Sequence, residues 1–127
     1  MKYLLDTHAF LWCFEGSNKI NETVKNIIRD MDMQRYVSIA SLWEFSIKHS
    51  MGKLGFEGDL HRLYAIITKH NLTILPISQP HLEKLIRLPF LHRDPFDRLL
   101  VATAQADGMT LLTADENIRK YDVSFLW

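Results

Sequence analysis

The sequence contains one cysteine, Cys13, so no disulfide can form within the chain. A single cysteine fits a reducing cytosol. The apolar neighbours of Cys13 in "FLWCF" predict that it is a small buried hydrophobic residue. The six histidines fall at no spacing typical of zinc ligands, so a zinc site built from cysteine and histidine is not expected.

Long hydrophobic runs are also missing. No segment approaches the ~20 consecutive apolar residues that a membrane span requires. Asp6 and His8 interrupt the apolar N-terminal segment, and no small-residue cleavage site follows it, which argues against a signal peptide. We therefore expect a cytoplasmic protein that does not enter a membrane.

An excess of either charge is absent as well. Fifteen basic and fifteen acidic residues give a formal net charge of zero, so the overall charge lends no support to a nucleic-acid-binding function. It does not exclude one, because a local basic surface can coexist with an acidic pocket.

The chain does contain short apolar segments that alternate with helical periodicity. Its 127 residues, 47% of them hydrophobic, suffice for one domain with a substantial core. The pattern predicts an α/β fold: a single domain over residues 1–127, with a mostly parallel central sheet of four to five strands and helices on both faces. The predicted strands cover residues 2–5, 36–39, 72–77, 109–113 and 123–127.

Acidic residues follow two of these strands, at the edge where such sheets bind ligands. Asp6 comes directly after the first strand, where capping the next helix is an equally good interpretation. Asp115 follows the fourth strand in "LLTADENI". Thr113 and Glu116 fit a capping box there, which leaves Asp115 without a structural task.

Glu44 lies inside the helical segment "IASLWEFSI", which follows the second strand. It could form a surface ion pair with Lys48, four residues later. Its helical neighbours Ala40 and Ile47 give it a partly apolar face, however. Because an unpaired buried charge is costly, we expect the Glu44 carboxylate to have a partner.

Two more acids open the helix in "HRDPFDRLLVATAQADG", which we expect to end at Gly108. Pro95 suits the first helical position, so Asp94 becomes the N-cap and Asp97 the third helical residue. Both acids therefore have a structural interpretation, and this segment alone favours it.

These positions would place three or four carboxylates around one crevice. Like charges that close repel and raise each other's pKa, and a hard divalent cation such as Mg²⁺ or Mn²⁺ would relieve the repulsion. No Ser/His/Asp or Cys/His set occurs at a recognisable spacing, so a covalent nucleophile is not expected. The carboxylates are those of Asp6, Glu44, Asp97 and Asp115.

The sequence resembles the PIN-domain ribonucleases of the VapC type, the toxins of bacterial toxin–antitoxin pairs. The resemblance lies in "YLLDTH", "SLWEFSIKHSMGKL", "HRDPFDRLLVATA" and "LLTADENI", which occur in the family's order and span most of the chain. The family's catalytic acids fall on the four residues just named. Thr113 matches a supporting hydroxyl, and Asp94 is left as helix cap or as a supporting group.

The resemblance implies metal-dependent hydrolysis of RNA phosphodiester bonds, with Mg²⁺ or Mn²⁺ as cofactor. Asp6 and Asp97 would contact the metal, and Asp115 and Glu44 would hold metal or water. The implied partners are the RNA substrate and a cognate antitoxin whose tail lies across the site. A homodimer is also implied, and the apolar bulk of "FLWCF" and "LHRLYAIITKH" fits one, although core burial explains most of it.

RNA binding would need basic residues at the rim of the site. The candidates are Arg93, Arg98, Lys48 and His8, although for any single one ordinary surface solvation is the better interpretation. The role of His92 stays open.

Two other functions remain possible on the same residues. One is a non-catalytic binding or assembly module whose acids only cap helices. The other is a magnesium-dependent phosphatase or receiver domain. The phosphatase pattern expects a second aspartate two residues after Asp6, where His8 stands, and the receiver pattern expects an acidic pair at this point. No glycine-rich phosphate loop of the Walker type occurs.

Overall fold

A computed structural model of the protein describes residues 1–53 and 58–127. Its centre is a five-stranded sheet in which every pairing is parallel and the strand order is β3-β2-β1-β4-β5. The sheet is thus entirely parallel, which confirms the predicted α/β class and strand number. The strands are β1 (Lys2–Leu5), β2 (Gln34–Ser38), β3 (Thr73–Leu75), β4 (Thr110–Leu112) and β5 (Phe125–Leu126).

Six α-helices and one short 3₁₀ helix connect and follow the strands in the described part of the chain. The helix predicted to begin at Pro95 and end at Gly108 is present, and the segment "IASLWEFSI" is helical as predicted. Leu54, the last residue of the segment "SLWEFSIKHSMGKL", lies outside the described residues. The helices are α1 (Thr7–Glu15), α2 (Glu22–Arg29), α3 (Ile39–Ser50), α4 (Leu60–Lys69), α5 (Gln79–Arg87) and α6 (Pro95–Asp107), and the 3₁₀ helix covers Ile118–Lys120.

The core lies on both faces of the sheet because consecutive strand residues point to opposite sides. Leu5 packs with residues of α1 to α4 on one face. Its neighbour Leu4 packs with residues of α6 and the 3₁₀ helix on the other. Cys13 is fully buried in the first of these clusters, as its apolar neighbours predict. No helix within the described ranges is long and apolar enough to cross a membrane.

The carboxyl ends of the strands meet at one edge of the sheet. Asp6 directly follows β1, and its backbone N–H donates to the Leu112 carbonyl at the end of β4 (3.2 Å). α3 begins directly after β2, with the Ser38 hydroxyl accepting from the Ala40 N–H. This edge is where the sequence analysis places the acidic residues.

Candidate functional site

Asp6 serves as the N-cap of α1 at the carboxyl end of β1. Its Oδ1 accepts a hydrogen bond from the Ala9 N–H at 2.6 Å, and the side chain also bonds the Thr113 hydroxyl. The residue is only 5% exposed. Burial raises the pKa of Asp6, and these two hydrogen bonds oppose the rise only in part.

Glu44 is buried and has two partners on different elements. Its Oε1 accepts from the Thr7 hydroxyl at 2.7 Å, and its Oε2 lies 2.6 Å from the Lys48 ammonium. The i+4 ion pair therefore forms, but the Glu44 end of it is inside the protein rather than on the surface. Thr7 directly follows Asp6 and begins α1, so this hydrogen bond joins α3 to the start of α1 beside Asp6.

The two acids that open α6 divide as the helix geometry predicts. The Asp94 Oδ1 accepts from the Phe96 and Asp97 N–H groups at 2.9 and 3.1 Å, so Asp94 is the N-cap. Asp97 is in the first turn with its side chain 17% exposed, and its Oδ2 lies 3.4 Å from the His92 Nε2. Asp97 is thus free of the capping task.

Asp115 contradicts one expectation. The predicted capping box of Thr113 and Glu116 does not form, because only a single 3₁₀ turn follows β4 and it begins later, at Ile118. Instead, the Thr113 hydroxyl accepts from the Asp115 N–H (3.0 Å), and the Asp115 Oδ1 accepts from the Asn117 N–H (2.8 Å). Asp115 therefore has a structural task after all, in the turn beside Asp6.

The charges of these residues act on one another. Burial raises the pKa of Asp97 to about 8, together with the negative charges of four neighbouring acids. Lys48 responds in the opposite sense: partial burial lowers its pKa, but the hydrogen bond to Glu44 and nearby negative charges outweigh this and raise it. The neighbours of Asp97 are Asp94, Asp115, Glu44 and Asp6, so the structure brings the predicted acids into one electrostatic cluster.

The donor set of this acidic cluster suits a hard divalent cation, because it consists of carboxylate oxygens with an excess of negative charge. The cluster is not drawn tightly together, however. Within residues 1–53 and 58–127, no group of three acidic, histidine or cysteine side chains is close enough to hold a metal ion as they stand. The type of ligand atom and the negative charge of these residues suit a divalent cation, and Lys48 neutralises part of the charge.

Among the candidate RNA contacts, Arg98 differs from expectation. It is only 5% exposed, and its guanidinium donates to the Leu88 and Pro89 carbonyls and to the Tyr121 hydroxyl. A side chain held inside the protein in this way is unavailable to a ligand at the rim. Arg93 is exposed, and Lys48 is half-buried beside Glu44.

His8 is exposed beside a small cavity of about 130 Å³ that adjoins the acidic cluster. The ring of His8 stacks on Trp12 with 5.6 Å between ring centroids. Asp6 and Asp115 form the acidic part of the cavity wall, and Ala114 completes it. The cavity thus joins two carboxylates to an aromatic wall.

Sequence reasoning missed Thr7, Trp12 and Tyr121 as members or neighbours of the site. The hydroxyl of Thr7 directly follows Asp6 in "LLDTH", which is a signal that could have pointed to it. Trp12 lies one helical turn after His8, so the pair could also have been noticed. Tyr121 lies in a separate segment with no local signal.

Residues 3–124 match the family model described as "PIN domain". The chain belongs to the PIN domain family. No curated protein sequence matches it significantly.

Solved structures share the fold of this PIN domain at low sequence identity. VapBC2 from Rickettsia felis, bound to a DNA fragment from its promoter, superposes with a TM-score of 0.75 at 17% identity, covering 100% of this chain and 99% of that one. DNA-bound VapBC from Salmonella typhimurium gives 0.70 at 14% identity, covering 99% and 97%. A toxin–antitoxin complex from Klebsiella pneumoniae gives 0.68 at 17% identity, with the same coverage. These likenesses establish the fold.

Proposed function

We propose that this PIN domain is a metal-dependent endoribonuclease, and that it acts in the cytoplasm as the toxin of a toxin–antitoxin pair. The observation that carries the proposal is the burial of Asp97 among four other acids, which together raise its pKa to about 8. A purely structural set of helix caps has no need of such crowding, because each cap satisfies its own helix. PIN domains of VapC toxins are nucleases, and PIN nucleases generally use divalent metal ions.

Asp6 and Asp97 would hold Mg²⁺ or Mn²⁺ directly, and Asp115 and Glu44 would hold metal or a water molecule. When bound, the ion would lower the pKa of a coordinated water and offset charge growing on the phosphate. Thr113 keeps the Asp6 carboxylate in place through its hydroxyl, and Thr7 does the same for Glu44. Lys48 neutralises Glu44, and its partly exposed ammonium would be available to a phosphate.

RNA as the substrate is supported by the aromatic wall beside the acids. Unpaired bases stack on aromatic side chains, and each stacked base contributes roughly 1–3 kcal/mol. The exposed ring of His8, backed by Trp12, offers such a face next to Asp6 and Asp115. Arg93, exposed just before α6, remains a candidate for a phosphate contact.

The proposed protein partners are a cognate antitoxin and a second copy of this chain. The antitoxin is supported by fold neighbours that are themselves toxin–antitoxin complexes. For the second copy, the segment "FLWCF" is not the support, since Phe10, Leu11 and Cys13 are buried in the core. In the segment "LHRLYAIITKH", Leu60 and Tyr64 are partly exposed, and the most exposed apolar side chains of a helix and its following loop are those of Ile86 and Phe90, on α5 and just after it. Leu82 and Leu91 are exposed in the same region.

Cleavage of a mixed RNA pool in Mg²⁺ or Mn²⁺, with the cut ends mapped, tests the proposal. We expect the wild type to cut and Asp6→Asn and Asp97→Asn to lose nearly all activity. Asp32→Asn is the matched control, because Asp32 is an exposed aspartate on the turn before β2, and it should cut like the wild type. If the wild type cuts no RNA, or if Asp6→Asn and Asp97→Asn both cut RNA like the wild type, the non-catalytic binding module is favoured instead.

A further inference from the structure

Arg98 organises the segment that joins α5 to α6. Its guanidinium donates to the Pro89 carbonyl at 2.8 Å and to the Leu88 carbonyl at 3.3 Å. The ring of Phe90 covers the guanidinium, with 3.9 Å from its carbon to the ring centroid. Because Arg98 directly follows Asp97 on α6, these contacts fix the loop carrying His92 relative to that acid.

The same guanidinium determines how the Tyr121 hydroxyl is used. Arg98 Nη1 donates to the Tyr121 oxygen at 3.1 Å, and a guanidinium has no acceptor atom. The phenol oxygen therefore accepts from Arg98, which leaves its own proton for another partner. The His92 Nδ1 lies 2.8 Å from the Tyr121 oxygen, where it can accept that proton.

This arrangement selects one of the two neutral forms of His92. A neutral imidazole carries one N–H, so an Nδ1 that accepts from Tyr121 leaves the proton on Nε2. Nε2 lies 3.4 Å from the Asp97 Oδ2. When Asp97 is ionised, above its pKa of about 8 or with a metal ion bound, its carboxylate can only accept hydrogen bonds, and this form of His92 presents an N–H donor to it.

We propose that Arg98 and Tyr121 hold His92 as its Nε2–H tautomer, and that His92 is a positioning residue that orients the Asp97 carboxylate. The role toward a metal rests on the proposed function, whereas the tautomer does not. Groups that hydrogen-bond a metal-ligating carboxylate fix its orientation, and their loss commonly weakens metal binding by about 10–100-fold.

The tautomer can be tested in the metal-free protein by long-range ¹H–¹⁵N NMR of the histidine rings at a pH above about 8, where Asp97 is ionised. We expect wild-type His92 to be protonated on Nε2, and Tyr121→Phe to give a mixture of the two tautomers. His81 is the internal control, because its Nδ1 accepts from the Ser78 N–H and it has no contact with Tyr121 in the hydrogen bonds of the described residues. Its signals should not change. Protonation of wild-type His92 on Nδ1, or a His92 signal that Tyr121→Phe does not change, would contradict the proposal that Arg98 and Tyr121 set the tautomer.

The orienting role is tested by Mn²⁺ binding in calorimetry. His92→Ala and Tyr121→Phe should each weaken the affinity by about 10–100-fold, and His92→Gln should recover part of it by restoring an N–H donor. Tyr64→Phe on α4 is the matched control and should bind like the wild type. Wild-type affinity in both His92→Ala and Tyr121→Phe would overturn the role. Absence of Mn²⁺ binding by the wild type would refute the proposed metal-dependent function. The NMR result would still show whether Tyr121 sets the tautomer of His92.

Discussion

Asp97 and Asp94 lie only three residues apart in the sequence, but their surroundings differ. Asp94 and Asp97 open the same helix, yet only Asp94 accepts the free N–H groups of the first turn. Asp97 instead sits among other acids, and its pKa rises to about 8 through burial and their charges. A buried carboxyl group among other acids is unfavourable, and this is why we propose a functional role for Asp97.

Replacement of Asp97 by asparagine should stabilise the metal-free protein, and more so as pH rises. The pKa of Asp97 is about 8 in the folded protein and has the ordinary value of 3.8 in the unfolded chain. Between these values, Asp97 is protonated in the folded wild type and ionised in the unfolded chain. The stability of the wild type is full below about pH 4 and falls as pH rises toward about 8. Asparagine does not titrate, so Asp97→Asn should gain stability over the wild type on the order of a few kcal/mol at pH 8, and little at pH 4.

Urea denaturation of both proteins in EDTA, at the two ends of this pH window, measures that difference. Asp32→Asn should track the wild type at both. An Asp97→Asn protein no more stable than the wild type at alkaline pH would show that burial and the neighbouring acids do not raise the pKa of Asp97.

The beginnings and ends of α6 could be predicted from the sequence because they depend on local chemistry. Pro95 and Asp94 mark its start, and Gly108, at φ 64°, ends it in the left-handed conformation that glycine adopts readily. The turn after β4 could not, because a capping box for Thr113 and Glu116 presupposes a helix longer than the 3₁₀ turn that follows.

Two arginines are buried in the structure although their charge suggests a position on the surface. Arg98 ties the start of α6 to the loop before it, and Arg35 on β2 donates to the His70 carbonyl at the end of α4 (2.8 Å). Both look like surface charges in the sequence. Their partners are backbone carbonyls outside their own strand or helix, and every residue has a carbonyl, so the sequence does not indicate which one an arginine will contact.

Loss of the Asp94 cap should weaken α6 without ending catalysis. Asp94→Ala leaves the Phe96 and Asp97 N–H groups without their acceptor, which typically costs about 1 kcal/mol. Asp94→Asn is the matched control, since asparagine caps as well as aspartate, and it should keep wild-type stability. Melting temperature and RNA cleavage measured on both variants separate the two roles. An Asp94→Ala protein with normal stability and no cleavage would place Asp94 in the catalytic machinery.

The site as a whole comes from strand order, which the sequence does not indicate. β1 pairs with both β2 and β4, so residues following these strands meet although they are far apart in the chain. The prediction that parallel strands end at one edge was enough to group the acids. It was not enough to find the Arg98–Tyr121–His92 contacts, because Tyr121 reaches the site only through the path of the chain after β4.

The apolar residues left on the surface predict self-association. Ile86 is 83% exposed and Phe90 84% exposed, and such residues in a cluster commonly mark an interface. We expect the wild type to be a dimer in light scattering and Ile86→Glu to be a monomer. Lys84→Glu, a charge change on the same helix, is the control and should remain dimeric. A monomeric wild type, or a dimer that survives Ile86→Glu, would contradict this interface.

Calorimetric titration of the metal-free protein with Mn²⁺ tests the acidic cluster most directly. We expect the wild type and the Asp32→Asn control to bind Mn²⁺ alike, and Asp6→Asn and Asp97→Asn each to lose most of the affinity, because each removes a charge and a ligand oxygen from the cluster. A wild type that does not bind the ion, or wild-type affinity in both Asp6→Asn and Asp97→Asn, would contradict a metal-dependent nuclease site built on these acids.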